Sequence, residues 1–194
     1  MMSTHAMPFV TPEQYLEIER AAETRSEYLG GAMYAMAGAS RNHGRIVLST
    51  ARLLHAQLRG RDCEEAATDL RLAIPKHDLI IYPDVFVTCG PDQYLDNRRD
   101  TLKDATFIAE VLSPSTRNRD RGEKFVFYRA LPSFREYLVL AQDRIYAEHW
   151  ARQSDGAWLM REYSDPNDEI DLKSIDCRLR LANVYERVEF ETAS

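Results

Sequence analysis

The sequence predicts a mixed α/β fold of the α+β kind, a central sheet flanked by helices with added β-hairpins, in one domain over residues 1–194. Three observations carry that prediction. Helix-spaced apolar stretches alternate with short, dense strand-like runs, in the order helix, strands, helix, strands, helix, strands. The composition, 44% hydrophobic and 29% charged, suits a chain able to bury a core. No repeat, low-complexity tract or long linker divides the chain.

Thr11-Pro12-Glu13-Gln14 opens the first helix, with Thr as the cap, Pro in the first turn and Gln three residues after the cap, and the helix should run to about Ala22. Glu27-Tyr28-Leu29 and Ala32 to Met36 read as two short strands around the Gly30-Gly31 turn. Ile46, Leu48, Leu53, Leu54 and Leu58 recur at helical spacing and place a helix from about Asn42 to Leu58. Ala67 to Ile74 and Leu79 to Thr88 read as strands, the second forced by Pro83 into a bulge or an edge position. Ala105 to Leu112, apolar apart from Glu110, has the pattern of a buried strand. A helix from about Asn118 to Ala130 ends at Leu131-Pro132, and Glu136 to Ala141 is another strand. Arg144 to Trp150 and Trp158 to Tyr163 flank an Asp155-Gly156 turn, and residues 181–187 suggest a last short helix.

Several function classes are excluded. No apolar run nears the ~20 residues that span a bilayer, and the start lacks the basic and apolar regions of a secretory signal. The three cysteines, Cys63, Cys89 and Cys177, are odd in number, far apart and without a C-x-x-C pair, so neither disulfides nor a structural zinc is expected. A reducing cytoplasm fits. With 25 basic and 31 acidic side chains the net charge is −6, so contact with nucleic acid must rest on a local basic patch or on metal ions.

The chemistry gathers between Tyr82 and Tyr128. Asp84 follows Pro83 at the start of Val85-Phe86-Val87, and Glu110 lies in an apolar strand, where an isolated carboxylate costs several kcal/mol. Strand alternation puts Thr106, Ile108, Glu110 and Leu112 on one face and Phe107, Ala109 and Val111 on the other. Asp120, Lys124 and Tyr128 stack along one side of the following helix. Two carboxylates on one divalent cation, with a lysine nearby, suit phosphodiester hydrolysis, and oxygen-only ligands favour Mg²⁺ or Mn²⁺. Plainer roles stand beside these. Glu110 and Lys124 can form a structural ion pair, Asp84 a turn, Asp120 and Lys124 a surface pair, and Tyr128 simple packing, while Glu27 before its Gly-Gly turn reads equally as a metal-side carboxylate or an exposed hairpin glutamate. His43 at its helix start can orient water, meet phosphate or face solvent. His5, His55, His77 and His149 show no ligand spacing. The run from Arg117 to Lys124, together with Arg98 and Arg99, is the richest source of positive charge, and reads equally as a phosphate patch or a solvated face. No glycine-rich phosphate loop and no G-x-S-x-G elbow occurs.

Tyr82-Pro83-Asp84-Val85, then Phe107 to Thr116 (FIAEVLSPST), then Asp120-x-x-x-Lys124-x-x-x-Tyr128 and Glu136-Tyr137 resemble the Uma2 family. These bacterial proteins, once called DUF820, are placed with the restriction endonucleases of the PD-(D/E)xK superfamily. Glu27-Tyr28-Leu29-Gly30-Gly31 and His43-Gly44 match family blocks in order, so the resemblance is nearly full-length. It implies a PD-(D/E)xK-like core that hydrolyses DNA with Mg²⁺ or Mn²⁺. Asp84 and Glu110 would hold the metal and Lys124 would be catalytic, with Glu27 as a fourth member and His43, Asp120 and Tyr128 as accessories. The superfamily lysine two residues after the glutamate is here Leu112, and the resemblance implies that Lys124 has taken its part. DNA is the expected partner, no membrane is, and a homodimer is compatible with the sequence. A catalytically silent DNA- or protein-binding module, or a hydrolase of RNA or a nucleotide, stands as the alternative.

Overall fold

Capping, apolar alternation and Pro83 together arrange two facing sheets with helices packed against them. The computed structural model describes residues 9–36, 38–67, 69–112 and 119–190, residues 119–121 by backbone alone. In chain order the elements are α1 (Pro12–Ala21), β1 (Ser26–Leu29), β2 (Ala32–Ala35), α2 (Arg41–Leu58), β3 (Cys63–Ala67), β4 (Arg71–Ile74), β5 (Leu79–Ile81), β6 (Val85–Cys89), β7 (Thr101–Leu102) and β8 (Phe107–Leu112). A π-helical turn over Arg119–Lys124 leads into α3 (Phe125–Tyr128), followed by β9 (Glu136–Ala141), β10 (Ala147–Arg152), β11 (Trp158–Tyr163), β12 (Glu169–Leu172), β13 (Cys177–Arg180) and α4 (Leu181–Val184).

One sheet has the strand order β2-β1-β5-β4-β7 and the larger one β11-β10-β9-β8-β6-β3, while β12 and β13 form a separate hairpin. β8 and β9 run parallel, joined by the crossover that carries α3, and β6 is antiparallel to β8. The larger sheet is therefore mixed, and β8 and β9 are buried along their whole length. Phe107, Ala109 and Val111 of β8 pack with α2, α4 and the β12–β13 hairpin. Ile108 and Leu112 pack with α3 and with β4 and β5 of the smaller sheet. On the outer face of that smaller sheet, Tyr15 and Leu16 of α1 meet Tyr28, Ala73 and Ile80.

Local chemistry explains the boundaries. The capping box of α1 is present, with the Gln14 amide donating to Thr11 Oγ1 at 3.3 Å and the Thr11 amide to Gln14 Oε1 at 2.9 Å. Gly30 and Gly31 turn the β1–β2 hairpin at φ +55° and +87°, where other residues are strained. Pro83 does more than form a bulge. The expected strand from Leu79 to Thr88 is two strands in different sheets, because an imino nitrogen cannot donate to a ladder and the chain changes sheet there. The expected strand from Ala67 to Ile74 divides likewise between β3 and β4.

Two further expectations are corrected. Cys63 and Cys89 face each other across the β3–β6 ladder and are joined as a disulfide, leaving Cys177 buried as the free thiol. Their separation of 26 residues concealed a cross-strand adjacency, and the odd count concealed a pair. The helix expected from Asn118 to Ala130 is a π-turn plus one α-turn, and Ser113 to Asn118 lie outside the described residues.

Candidate active site

The site grows from β8. Alternation turns Glu110 toward the face shared by Ile108 and Leu112, and its carboxylate is buried between the two sheets. Glu110 Oε1 accepts from Lys124 Nζ at 3.0 Å and from the Tyr128 hydroxyl at 2.5 Å. Both donors come from the crossover, one turn apart, so the i, i+4 spacing carries them to one acceptor. Burial and the Glu110 charge hold the Tyr128 hydroxyl well above its ordinary pKa, so it remains a donor. An ammonium and a hydroxyl on one oxygen offset the desolvation that an unpaired Glu110 would suffer.

Asp84 ends the neighbouring ladder. β6 pairs with β8 through Val85↔Ala109 and Phe86↔Ile108, and Asp84 directly precedes the first of these pairs. The Val111 amide donates to Asp84 Oδ2 at 2.7 Å, and His43 Nε2 from the first turn of α2 lies 3.0 Å from Oδ1. Burial raises the Asp84 pKa, but the His43 hydrogen bond and charge, the Val111 amide and the Lys124 charge outweigh it, leaving the group below the ordinary carboxylate value. Asp84 is therefore an anion on its own strand edge, within the field of Lys124.

Glu27 is the residue whose setting the sequence left most open. In β1, Tyr28 faces α1 and Glu27 the opposite way, toward the larger sheet. It is only 5% exposed, and its Oε1 lies 4.0 Å from Lys124 Nζ. An exposed hairpin glutamate is excluded. The structure thus joins Glu27, Glu110, Lys124 and Tyr128 directly, with Asp84 and His43 as an adjoining pair. The Asp120 side chain lies outside those described. Arg98 lines a surface groove with Glu17, Arg20 and Ala21 of α1, so it belongs to the outer layer and not to this site.

One supporting residue was not recognised from the sequence. The Tyr82 hydroxyl accepts from Arg71 Nη1 at 3.1 Å and donates to Glu19 Oε1 at 2.9 Å, fixing the segment that delivers Pro83 and Asp84. A polar aromatic directly before a Pro-Asp step was the available signal.

Among the described residues no three Asp, Glu, His or Cys side chains form a set able to hold a metal. Asp84 and Glu110 do offer the hard carboxylate oxygens of which Mg²⁺ takes one or two, beside several waters and substrate phosphates.

Residues 12–182 match the Uma2 family, described as "Putative restriction endonuclease". The chain belongs to the Uma2 family. Two relatives from Synechocystis sp. (strain ATCC 27184 / PCC 6803 / Kazusa), the uncharacterized proteins sll1609 and slr1290, match most of this Uma2 chain. The first is 35% identical over 88% of this chain and 97% of its own length, the second 34% over 94% and 95%. The crystal structure of a DUF820 protein from Anabaena variabilis ATCC 29413, titled a putative nuclease, superposes with TM-score 0.73 over 91% of this chain and 97% of that one at 14% identity. The fold is thus a mixed α+β arrangement shared with that structure. Among the described residues no helix is long and apolar enough to cross a membrane.

Proposed function

We propose that this Uma2 chain is a Mg²⁺- or Mn²⁺-dependent endonuclease that hydrolyses phosphodiester bonds in DNA as one domain. The observation that carries the reading is the Lys124 ammonium on the buried Glu110 of β8, with Asp84 held by the Val111 amide of the same strand. Family membership supports nuclease chemistry in general. Asp84 and Glu110 would hold the divalent cation, which when bound polarises a phosphoryl oxygen and lowers the pKa of water. Lys124 would set its charge against the negative charge that develops on the reacting phosphate. His43 and the Val111 amide orient Asp84, and Tyr128 orients Glu110.

Cleavage of plasmid, single-stranded DNA and RNA, with Mg²⁺, Mn²⁺ or EDTA and beside Lys124→Ala, tests this. Metal-dependent DNA cutting that the variant largely loses supports the reading. The net charge of −6 and a Glu110 whose Oε1 already holds Lys124 and Tyr128 favour a second reading, a silent binding module. That module would bind DNA or protein and cut nothing.

A further inference from the structure

Resting on that reading, we infer that Glu27 is a positioning residue, the second anchor of Lys124, and not a metal ligand. Three observations meet in it. Glu27, Glu110 and Lys124 are all buried, and the ammonium lies between the two carboxylates, 3.0 Å from Glu110 and 4.0 Å from Glu27. The two anchors come from different sheets, Glu110 from the larger and Glu27 from the smaller, so Lys124 is held from both sides of the gap. Asp84 is tied to the strand of Glu110 by the Val111 amide, whereas Glu27 lies on β1 of the other sheet.

Charge accounting gives the arrangement its purpose. A buried ammonium requires a partner. With a divalent cation bound, Glu110 would share its charge and its hold on Lys124 would weaken. Glu27 then remains as the counter-charge that keeps Lys124 beside the reacting phosphate. A lysine at position 112 would be fixed by its own strand, on the face of Glu110. A lysine delivered by the crossover helix lacks that rigid support and depends on a second fixed point.

Wild type, Glu27→Gln, Lys124→Met and the double variant decide the matter. Calorimetric titration with Mn²⁺ alone gives metal affinity, and single-turnover plasmid cleavage gives the rate. Glu27→Gln should keep Mn²⁺ affinity within about threefold of wild type and slow cleavage about 10- to 100-fold without changing the half-saturating DNA concentration. It should slow Lys124→Met no further, because its effect passes through the ammonium. Should Glu27→Gln not fold, Glu27→Asp keeps the charge one methylene shorter and serves in the same comparisons, with a smaller rate loss expected. A loss of Mn²⁺ affinity of about tenfold or more in both lysine backgrounds would make Glu27 a ligand and overturn the proposal, as would rate losses that multiply. If wild type neither binds Mn²⁺ nor cuts nucleic acid, the nuclease reading fails separately. Urea unfolding of the four proteins then decides the anchor: Glu27→Gln must cost less stability when Lys124 is already Met, and equal costs overturn it.

Discussion

Replacing Lys124 by Met should unfold this protein far more readily than a surface lysine substitution would. Lys124 is 7% exposed and its ammonium lies 3.0 Å from a Glu110 that is itself 2% exposed. Met keeps the length of the side chain, so packing changes little and the charge is what is lost. Glu110 then keeps the Tyr128 hydroxyl but loses the ammonium at 3.0 Å, and Glu27 loses the same charge at 4.0 Å. Breaking one side of a buried pair costs about 3–5 kcal/mol. For a chain of this size each kcal/mol moves the melting point about 2–4 °C, so Tm should fall by about 6–20 °C. Removing the second charge in Lys124→Met/Glu110→Gln should recover a large part, with a coupling of about 1–3 kcal/mol. The assay is urea unfolding at neutral pH with EDTA present, where no cation can stand in for the lysine. A loss under about 0.5 kcal/mol, the worth of an exposed pair, would refute the buried three-residue cluster. The same reasoning means that cleavage rates of Lys124 variants must be measured well below their melting points.

Other consequences are independent of the nuclease reading. Burial raises the Glu136 pKa, but His149 at 3.0 Å and the amide and hydroxyl of Ser174 outweigh it and leave the group below its ordinary 4.5. Its contribution is therefore present above about pH 4.5 and lost as pH falls through the lower folded value, so Glu136→Gln should flatten the acid limb of a urea-stability profile. Equal acid slopes in the two proteins would count against it. Tyr82→Phe leaves Arg71 and Glu19 without their shared hydroxyl and should cost about 1–3 kcal/mol in urea unfolding, with no cost as the contrary result. Thiol titration in denaturant should find the single thiol of Cys177 before reduction and all three afterwards, and reduction should cost about 3–4 kcal/mol. Three thiols without reductant would contradict the Cys63–Cys89 bond.

Much of this was legible in the sequence where local physics decides. Thr11 and Gln14 make a cap wherever they stand three apart before a helix, and a carboxylate inside FIAEVL must find a partner whatever the fold. Alternation also gave the faces of β8, since Phe107, Ala109 and Val111 do pack apart from Ile108 and Leu112. What periodicity cannot give is the neighbour across a gap. Glu27 read as equally exposed or functional because its partner lies 97 residues further on, in another layer. Cys63 and Cys89 were hidden for the same reason. Pro83 announced an interruption, but whether the chain bulges or changes sheet depends on what waits on either side. Arg98 was joined to the site by its charge alone, and charge carries no address. The β12–β13 hairpin went unread because its pattern of buried Ile170, Leu172, Cys177 and Leu179 is short and interleaved with charged residues.

The central claim, that Asp84 and Glu110 support metal-dependent phosphodiester hydrolysis, is tested most directly by single-turnover cleavage of supercoiled plasmid by wild type and Glu110→Gln. The comparison is made in Mg²⁺, Mn²⁺ and EDTA. Cutting is expected with either cation and none in EDTA, and the Gln variant, which keeps the shape of Glu110 without its charge, should cut at least about 10²-fold more slowly. Cleavage that persists in EDTA, or that Glu110→Gln performs at the wild-type rate, would contradict it.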